Sequence, residues 1–117
     1  MIEHIRGDTL KIVVTVRDSD GNLVDLTNYE IRAEIKGEDG ISIKKANSKV
    51  SGGSDDEIKI IDTGKIEINF DKSEMSSLNP NTTYKFEVEI TSSEGIRTTI
   101  VKDLIKIKED IITWESK

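Results

Sequence analysis

The stretch Tyr84–Ile90, with the sequence YKFEVEI, alternates strictly between apolar and charged residues. Successive side chains of an extended chain point to opposite faces, so one face of this stretch is wholly apolar and the other wholly charged. A strand with one buried and one wetted face is typical of antiparallel sheets, whereas strands of parallel sheets are apolar on both faces. The stretch therefore predicts a half-buried strand of an antiparallel sheet.

The same alternation recurs along the chain, in Leu10–Arg17, Tyr29–Lys36 and Ile66–Phe70. Less regular runs predict further strands, namely 2–5, 41–45, 57–61 and a long final strand over 96–108 that bends at Lys102 and Asp103. Turn sequences that contain glycine separate these runs. Seven or eight short strands with this spacing predict a single all-β domain over residues 1–117, an antiparallel β-sandwich with a C-terminal tail over 110–117.

The segment Asp71–Ser77 shows no alternation. Asp71 or Ser73 suits the N-cap of a helix, and the early Glu74 carries the negative charge that the positive end of a helix dipole favours. We expect one or two helical turns here, near residues 71–77, which carry the chain from one sheet to the other.

Composition excludes several classes of function. A formal net charge of −6 argues against a nucleic-acid partner, because binding the phosphate backbone requires clustered lysine and arginine. The chain has no cysteine, which excludes disulfides and thiolate zinc sites. No apolar run approaches the roughly 18 residues of a membrane helix, and the N-terminus does not resemble a signal peptide. We therefore expect a cytoplasmic origin and no membrane partner.

The turn that follows the first long strand is rich in oxygen ligands. Three of its side chains are candidate ligands of a surface calcium ion: Asp18, Asp20 and Asn22. Counted as a calcium loop from Asp18, however, the turn has Leu23 in place of the glycine at position 6 and Tyr29 in place of the glutamate at position 12. The favoured interpretation is a hairpin turn in which Gly21 adopts a positive φ.

No residues form a recognisable catalytic constellation. His4 is the single histidine, so a Ser-His-Asp triad or a typical zinc site would depend on a residue near the terminus. Carboxylate pairs of the glycosidase type remain open, but aromatic residues make up only 4% of the chain and offer little surface for a sugar. We predict a protein that is not an enzyme and that has no catalytic or cofactor-binding residues. Trp114 either packs against the end of the domain or contacts a neighbouring protein.

Two resemblances to known families add to this interpretation. The first is carried by Leu78–Val88, LNPNTTYKFEV, which resembles the L-x-P-x-T-x-Y-x-V segment of fibronectin type III and related immunoglobulin-like domains. In those domains a leucine and a tyrosine build the "tyrosine corner" between the two sheets. The resemblance implies an immunoglobulin-like sandwich with Leu78 and Tyr84 as the corner residues. The chain departs from these families in lacking a tryptophan in its early strands.

The second resemblance covers roughly residues 5–110. The chain is similar to short virion proteins of tailed bacteriophages and prophages, especially the N-terminal immunoglobulin-like domain of baseplate upper proteins. The motifs that carry the similarity come in the same order: Gly7-Asp8-Thr9 entering a strand, the turn Asp18–Gly21, the run Val24–Thr27, the corner segment, and the strand Gly95–Thr99.

This second resemblance implies a structural protein of a phage tail or baseplate, located in the virion after assembly in the host cytoplasm. Its partners would be other tail subunits or further copies of itself, and exposed edge strands would be the natural docking surfaces. The alternative is an adhesive or carbohydrate-binding sandwich of a bacterial surface protein or a phage fibre. An exposed aromatic platform would favour that alternative.

Overall fold

The computed structural model describes residues 2–5 and 8–108, which form eight strands and one short helix. In chain order the elements are β1 (Ile2–Ile5), β2 (Leu10–Thr15), β3 (Glu30–Lys36), β4 (Ser42–Ala46), β5 (Ile58–Asp62), β6 (Lys65–Phe70), α1 (Lys72–Ser76), β7 (Thr82–Thr91) and β8 (Arg97–Lys108). The predicted all-β sandwich of seven or eight strands is confirmed, with its helical turn near residues 71–77.

The strands form two sheets with the order of an immunoglobulin-like domain. One sheet has five strands in the order β1-β8-β7-β3-β4, and the other has three in the order β2-β6-β5. Lettered A, B, C, C′, D, E, F and G along the chain, the sheets become A-G-F-C-C′ and B-E-D. Immunoglobulin domains divide strands B, E, D and strands C, F, G between their sheets in the same way.

The first strand departs from the antiparallel pattern. Strand β1 pairs with β8 in parallel, with Ile2 opposite Ile105 and His4 opposite Ile107, whereas every other strand pair is antiparallel. In constant-type immunoglobulin domains the first strand instead lies beside the second, in the other sheet. Because β1 has joined the five-stranded sheet, β2 is left at the edge of its own sheet.

The core lies between the sheets and is built from the faces that alternation predicts. Strand β7 buries Tyr84, Phe86, Val88 and Ile90 and turns its charged residues outward. Phe86 meets Phe70 of the opposite sheet edge to face, with ring centroids 6.4 Å apart. Burying one such side chain contributes roughly 1.5–3 kcal/mol, so these paired faces hold the two sheets together.

Strand β8 corrects one prediction, because its irregularity lies at Ile100, whereas Lys102 and Asp103 pair with β7 in an unbroken register. Its pairing with β7 shifts register between Val88 and Glu89, whose partners are Val101 and Thr99, so Ile100 is the extra residue of a β-bulge. The bulge has a physical reason in the sequence. Apolar residues succeed one another at Ile100 and Val101, and one extra residue restores the alternation that turns Ile105 towards the core.

Helix α1 connects the two sheets and is capped by its own sequence. The Asp71 Oδ1 atom accepts a hydrogen bond from the Glu74 backbone N–H at 2.7 Å, and Glu74 Oε1 accepts one from the Asp71 N–H at 3.0 Å. This reciprocal capping box satisfies two N–H groups that a helix start leaves unpaired. In the described ranges, no helix has the length and apolarity that crossing a bilayer demands.

Candidate docking surface

The acidic turn after β2 is held together by its own side chains. The Asp18 Oδ1 atom accepts hydrogen bonds from the backbone N–H groups of Asp20 and Asn22, both at 2.9 Å. The Arg17 guanidinium donates to the Gly21 carbonyl at 2.9 Å, and Gly21 has a φ of 85°. The structure thus brings all three candidate ligands into one turn, in which the Asp18 carboxylate accepts hydrogen bonds from the backbone of the turn itself.

Calcium is expected to leave the stability of the protein unchanged. Asp18 already uses one carboxylate oxygen for two backbone bonds, and Asp20 is the one other carboxylate among the three candidate ligands. Thermal melting with and without millimolar calcium should therefore give the same midpoint. A rise in the midpoint that is lost in Asp20→Asn would establish a calcium site.

Leu78 and Tyr84 meet where the chain passes from one sheet to the other. Both side chains are fully buried. The Asn79 backbone N–H donates to the Tyr84 hydroxyl at 2.9 Å, and the hydroxyl donates to Asp39 Oδ2 at 2.7 Å. A tyrosine hydroxyl bonded to the backbone a few residues upstream is the geometry of a tyrosine corner. The corner ties the segment before β7 to the β3–β4 turn, since Asn79 Nδ2 also donates to Asp39 at 3.0 Å.

The carboxylate of Asp39 is held in its charged form by this corner. The hydrogen bond from Tyr84, followed by that from the Ile41 backbone N–H, lowers the pKa of Asp39 below its ordinary value. Burial raises the pKa of Tyr84, so its phenol stays protonated and remains a donor. The Tyr84–Asp39 contact is thus a charge-assisted hydrogen bond between distant parts of the chain, and its role is to stabilise the fold.

A buried lysine lies between the sheets near helix α1. Lys45 of β4 is only 8% exposed, and its Nζ atom donates to Glu74 Oε1 at 2.6 Å. The same ammonium lies 5.8 Å from the centroid of the Phe70 ring. Lys45 follows Ile41 and Ile43 on the inward face of its strand, so a charged residue stands where the alternation requires an apolar one. The ion pair fastens the edge of the five-stranded sheet to the helix.

The outer face of the five-stranded sheet is charged with both signs mixed. A concavity of about 550 Å³ beside β4 is lined by the turn 50–53 and by charged side chains, namely Arg32, Glu34, Lys44, Glu57, Glu87 and Glu89. No aromatic side chain lines it. Such a face suits a solvated surface more than an apolar ligand site.

Among the described residues, three of the four edge strands are covered, irregular or short, and each of these features disfavours pairing with another strand. At the edge of β4, the Ala46 N–H donates to Glu57 Oε1 at 3.1 Å, and the Ala46 carbonyl accepts from the Ser54 N–H at 3.0 Å. Strand β5 has a register shift between Ile60 and Asp62. Strand β1 has only four residues. These features leave little regular backbone for a partner.

The edge of β2 is the open one. Its six residues, Leu10–Thr15, pair in an unbroken register with β6, and among the described residues no strand lies on the other side. Val13 at its centre is 53% exposed. A regular edge strand with an exposed β-branched residue is the kind of surface on which proteins add a strand. We take this edge as the candidate docking surface.

Sequence reasoning located only part of this surface. It predicted β2 and its face, but it did not single out Val13, because the openness of the edge depends on where β1 pairs. Val13 breaks the outward pattern of Lys11 and Thr15, and an apolar residue at a solvent-facing position was the available signal. Trp114 and the Gly7 of the Gly7-Asp8-Thr9 motif lie outside the described residues.

Comparisons with known proteins find likeness at the level of structure. One solved structure that is similar to this chain is the V domain of IgVJ-C2 from amphioxus, with a TM-score of 0.36 and 13% sequence identity, covering 92% of this chain and 99% of that chain. No protein family and no curated protein matches the sequence. The immunoglobulin-like sandwich rests on the strand order described above.

Proposed function

We propose that this protein is a non-enzymatic structural subunit of a phage or prophage tail or baseplate, which acts by docking on neighbouring subunits in the virion. The observation that carries the docking role is the open, regular edge of β2 with its exposed Val13. The assignment to a phage particle is supported by the order of motifs that resemble baseplate upper proteins, namely Gly7-Asp8-Thr9, Asp18–Gly21, Val24–Thr27 and the corner segment.

Three carboxylates whose titration the fold perturbs support a structural role. The pKa values of Asp25, Asp39 and Asp71 are all lowered, first by bonds from Thr27, Tyr84 and the Glu74 backbone respectively. Each of these bonds closes a turn, a corner or a helix cap. A catalytic acid or base is instead expected to have a pKa moved towards neutrality within a cleft.

An adhesive or carbohydrate-binding role is the alternative, and the described aromatic residues give it no support. Phe70, Tyr84 and Phe86 are buried in the core, and Tyr29 is partly buried against it. A sugar-binding platform requires the face of an aromatic ring to be open to the ligand, which none of these core rings provides.

The proposal is tested by looking for the protein in particles. Prophage induction in the strain that encodes the gene, followed by density-gradient purification and quantitative mass spectrometry, should recover the chain with the tail proteins at a fixed ratio. The gene should also lie among tail and lysis genes. A metabolic operon around the gene, or particles that lack the chain, would refute the proposed function.

A further inference from the structure

The backbone groups that β2 turns away from its sheet can be assigned from its pairing. The Val16 N–H donates to the Gly64 carbonyl at 2.7 Å, in the same register in which Val14 lies opposite Ile66 and Ile12 opposite Ile68. In an antiparallel pair, alternate residues direct both N–H and C=O to the partner strand. The even-numbered residues therefore bond to β6, and the N–H and C=O groups of Lys11, Val13 and Thr15 point away from the sheet.

We infer that this edge pairs with the same edge of a second copy of the chain. The two β2 strands would run antiparallel about a two-fold axis at Val13. The three-stranded sheets of the copies would then join into one sheet of six strands, in the order β5-β6-β2 followed by β2-β6-β5 of the second copy. Isologous contacts of this kind need a surface that is complementary to itself, and the sequence of β2 meets that requirement.

The register follows from which residues would face one another. With Val13 opposite the Val13 of the second copy, Lys11 lies opposite Thr15, and the two lysines are at opposite ends of the pair. An axis at Lys11 would place the lysines of the two copies opposite each other. An axis at Val14, halfway between Val13 and Thr15, would place Lys11 opposite Arg17 of the second copy. Like charges that face each other across strands are unfavourable, whereas β-branched pairs are favourable. The Val13 register avoids like-charge pairs and places two β-branched valines opposite each other.

The inner face of β2 supports the same pairing. In this register Ile12 lies opposite Val14 of the second copy, and both side chains are half-buried in the monomer. A neighbouring strand would cover the side of these residues that the sandwich leaves exposed at its edge. Apolar contact would therefore form on both faces of the new strand pair, which hydrogen bonding alone does not provide.

Charge also favours this edge over other surfaces for contact between identical chains. Two copies that each carry a net charge of −6 repel one another. Residues 10–15 contain one lysine and neither aspartate nor glutamate, so the strand itself adds nothing to that repulsion. The edge is thus a place where like-charged copies approach at low electrostatic cost.

Light scattering coupled to size exclusion, over a concentration series of the full chain, tests the inference. We expect a dimer whose population rises with concentration. Val13→Lys and Val13→Glu should each weaken dimerisation about tenfold or more, because the axis opposes identical charges. Mixing the two variants should restore a heterodimer, since lysine then faces glutamate. Ile96→Lys, at an exposed site on the β7–β8 turn, is the matched control and should dimerise as the parent does.

Circular dichroism and thermal melting of each variant separate lost pairing from lost folding. A parent chain that stays monomeric at all concentrations would overturn the inference, and so would a folded Val13→Lys variant that dimerises normally. Failure of the mixture to form heterodimers would exclude the Val13 axis. The inference rests on the proposed docking role but not on the phage assignment. A chain that is monomeric in solution and present in particles would contradict only the pairing. A chain that dimerises but is absent from particles would contradict only the proposed function.

Discussion

Tyr84→Phe is expected to lower the free energy of unfolding by about 2 kcal/mol, although it removes a single oxygen atom. The ring can keep its place in the core, so the loss falls on the hydroxyl, which accepts from the Asn79 N–H and donates to Asp39. Urea denaturation followed by circular dichroism measures the change. Tyr29→Phe is the matched control, because among the described residues the Tyr29 hydroxyl has no hydrogen-bond partner; we expect a change within about 0.5 kcal/mol.

The Tyr84→Phe variant should also change how stability depends on pH. The pKa of Asp39 is lower in the folded protein than its ordinary 3.8, chiefly because of the Tyr84 bond. A lowered folded pKa adds stability above the unfolded value, and this stability is lost as pH falls through the folded value. The difference between parent and variant should therefore narrow as pH falls below about 4. A stability difference between parent and variant that stays constant down to pH 2 would show that the Tyr84–Asp39 bond contributes nothing to the pH dependence of stability.

The corner illustrates what could be predicted from the sequence. Alternation predicted the burial of Tyr84, and the spacing from Leu78 resembled a corner segment. The partner of the hydroxyl could not be predicted in the same way. Asp39 is 45 residues away in the sequence and belongs to a turn whose composition indicates only that it is a turn. Local patterns determine which face a residue lies on, but a hydrogen bond between turns depends on how the sheets are stacked.

Edge strands set a similar limit. The sequence predicted β1 and β2 as strands, but a run of four residues does not specify which sheet it joins. Pairing β1 with β8 in parallel packs Ile2, partly buried, against the core and leaves β2 open. The candidate docking surface is therefore a consequence of topology, and the sequence alone did not single it out.

Asn47 shows the same limit for a buried polar residue. Its side-chain amide donates to the Tyr29 carbonyl at 3.0 Å, and its side-chain oxygen accepts from the Ile31 N–H at 3.1 Å. In the sequence it begins a polar stretch that is typical of a loop. Because both partners are backbone groups at the start of β3, nothing in the side-chain pattern of either segment indicates the contact.

The second large effect is expected at the buried ion pair, where Glu74→Gln should lower the free energy of unfolding by about 3 kcal/mol. Lys45 is almost wholly buried, and without the glutamate its ammonium loses its hydrogen-bonded carboxylate and keeps only the Phe70 ring and the electrostatic attraction of Asp71. Removing one partner of a buried pair typically costs about 3–5 kcal/mol. We expect the lower end, because the Glu74 side chain is 26% exposed. Glutamine still presents an oxygen to the Asp71 N–H, so the helix cap is retained.

A double variant separates the loss of a charge from the loss of packing. Lys45→Met alone should cost less than Glu74→Gln, since the abandoned glutamate can reach water whereas the abandoned lysine cannot. Combining the two changes should recover most of the stability, because methionine fills the lysine site without a charge and replacing a buried pair by apolar groups is often neutral. Glu89→Gln, which removes the exposed pair with Arg97 at 3.7 Å, is the control and should cost at most about 0.5 kcal/mol. If Glu74→Gln costs no more than this control, or if the double variant loses as much as the two single variants together, the pair does not fasten the sheet to helix α1. Recovery in the double variant would instead show that Glu74 is needed because Lys45 is buried.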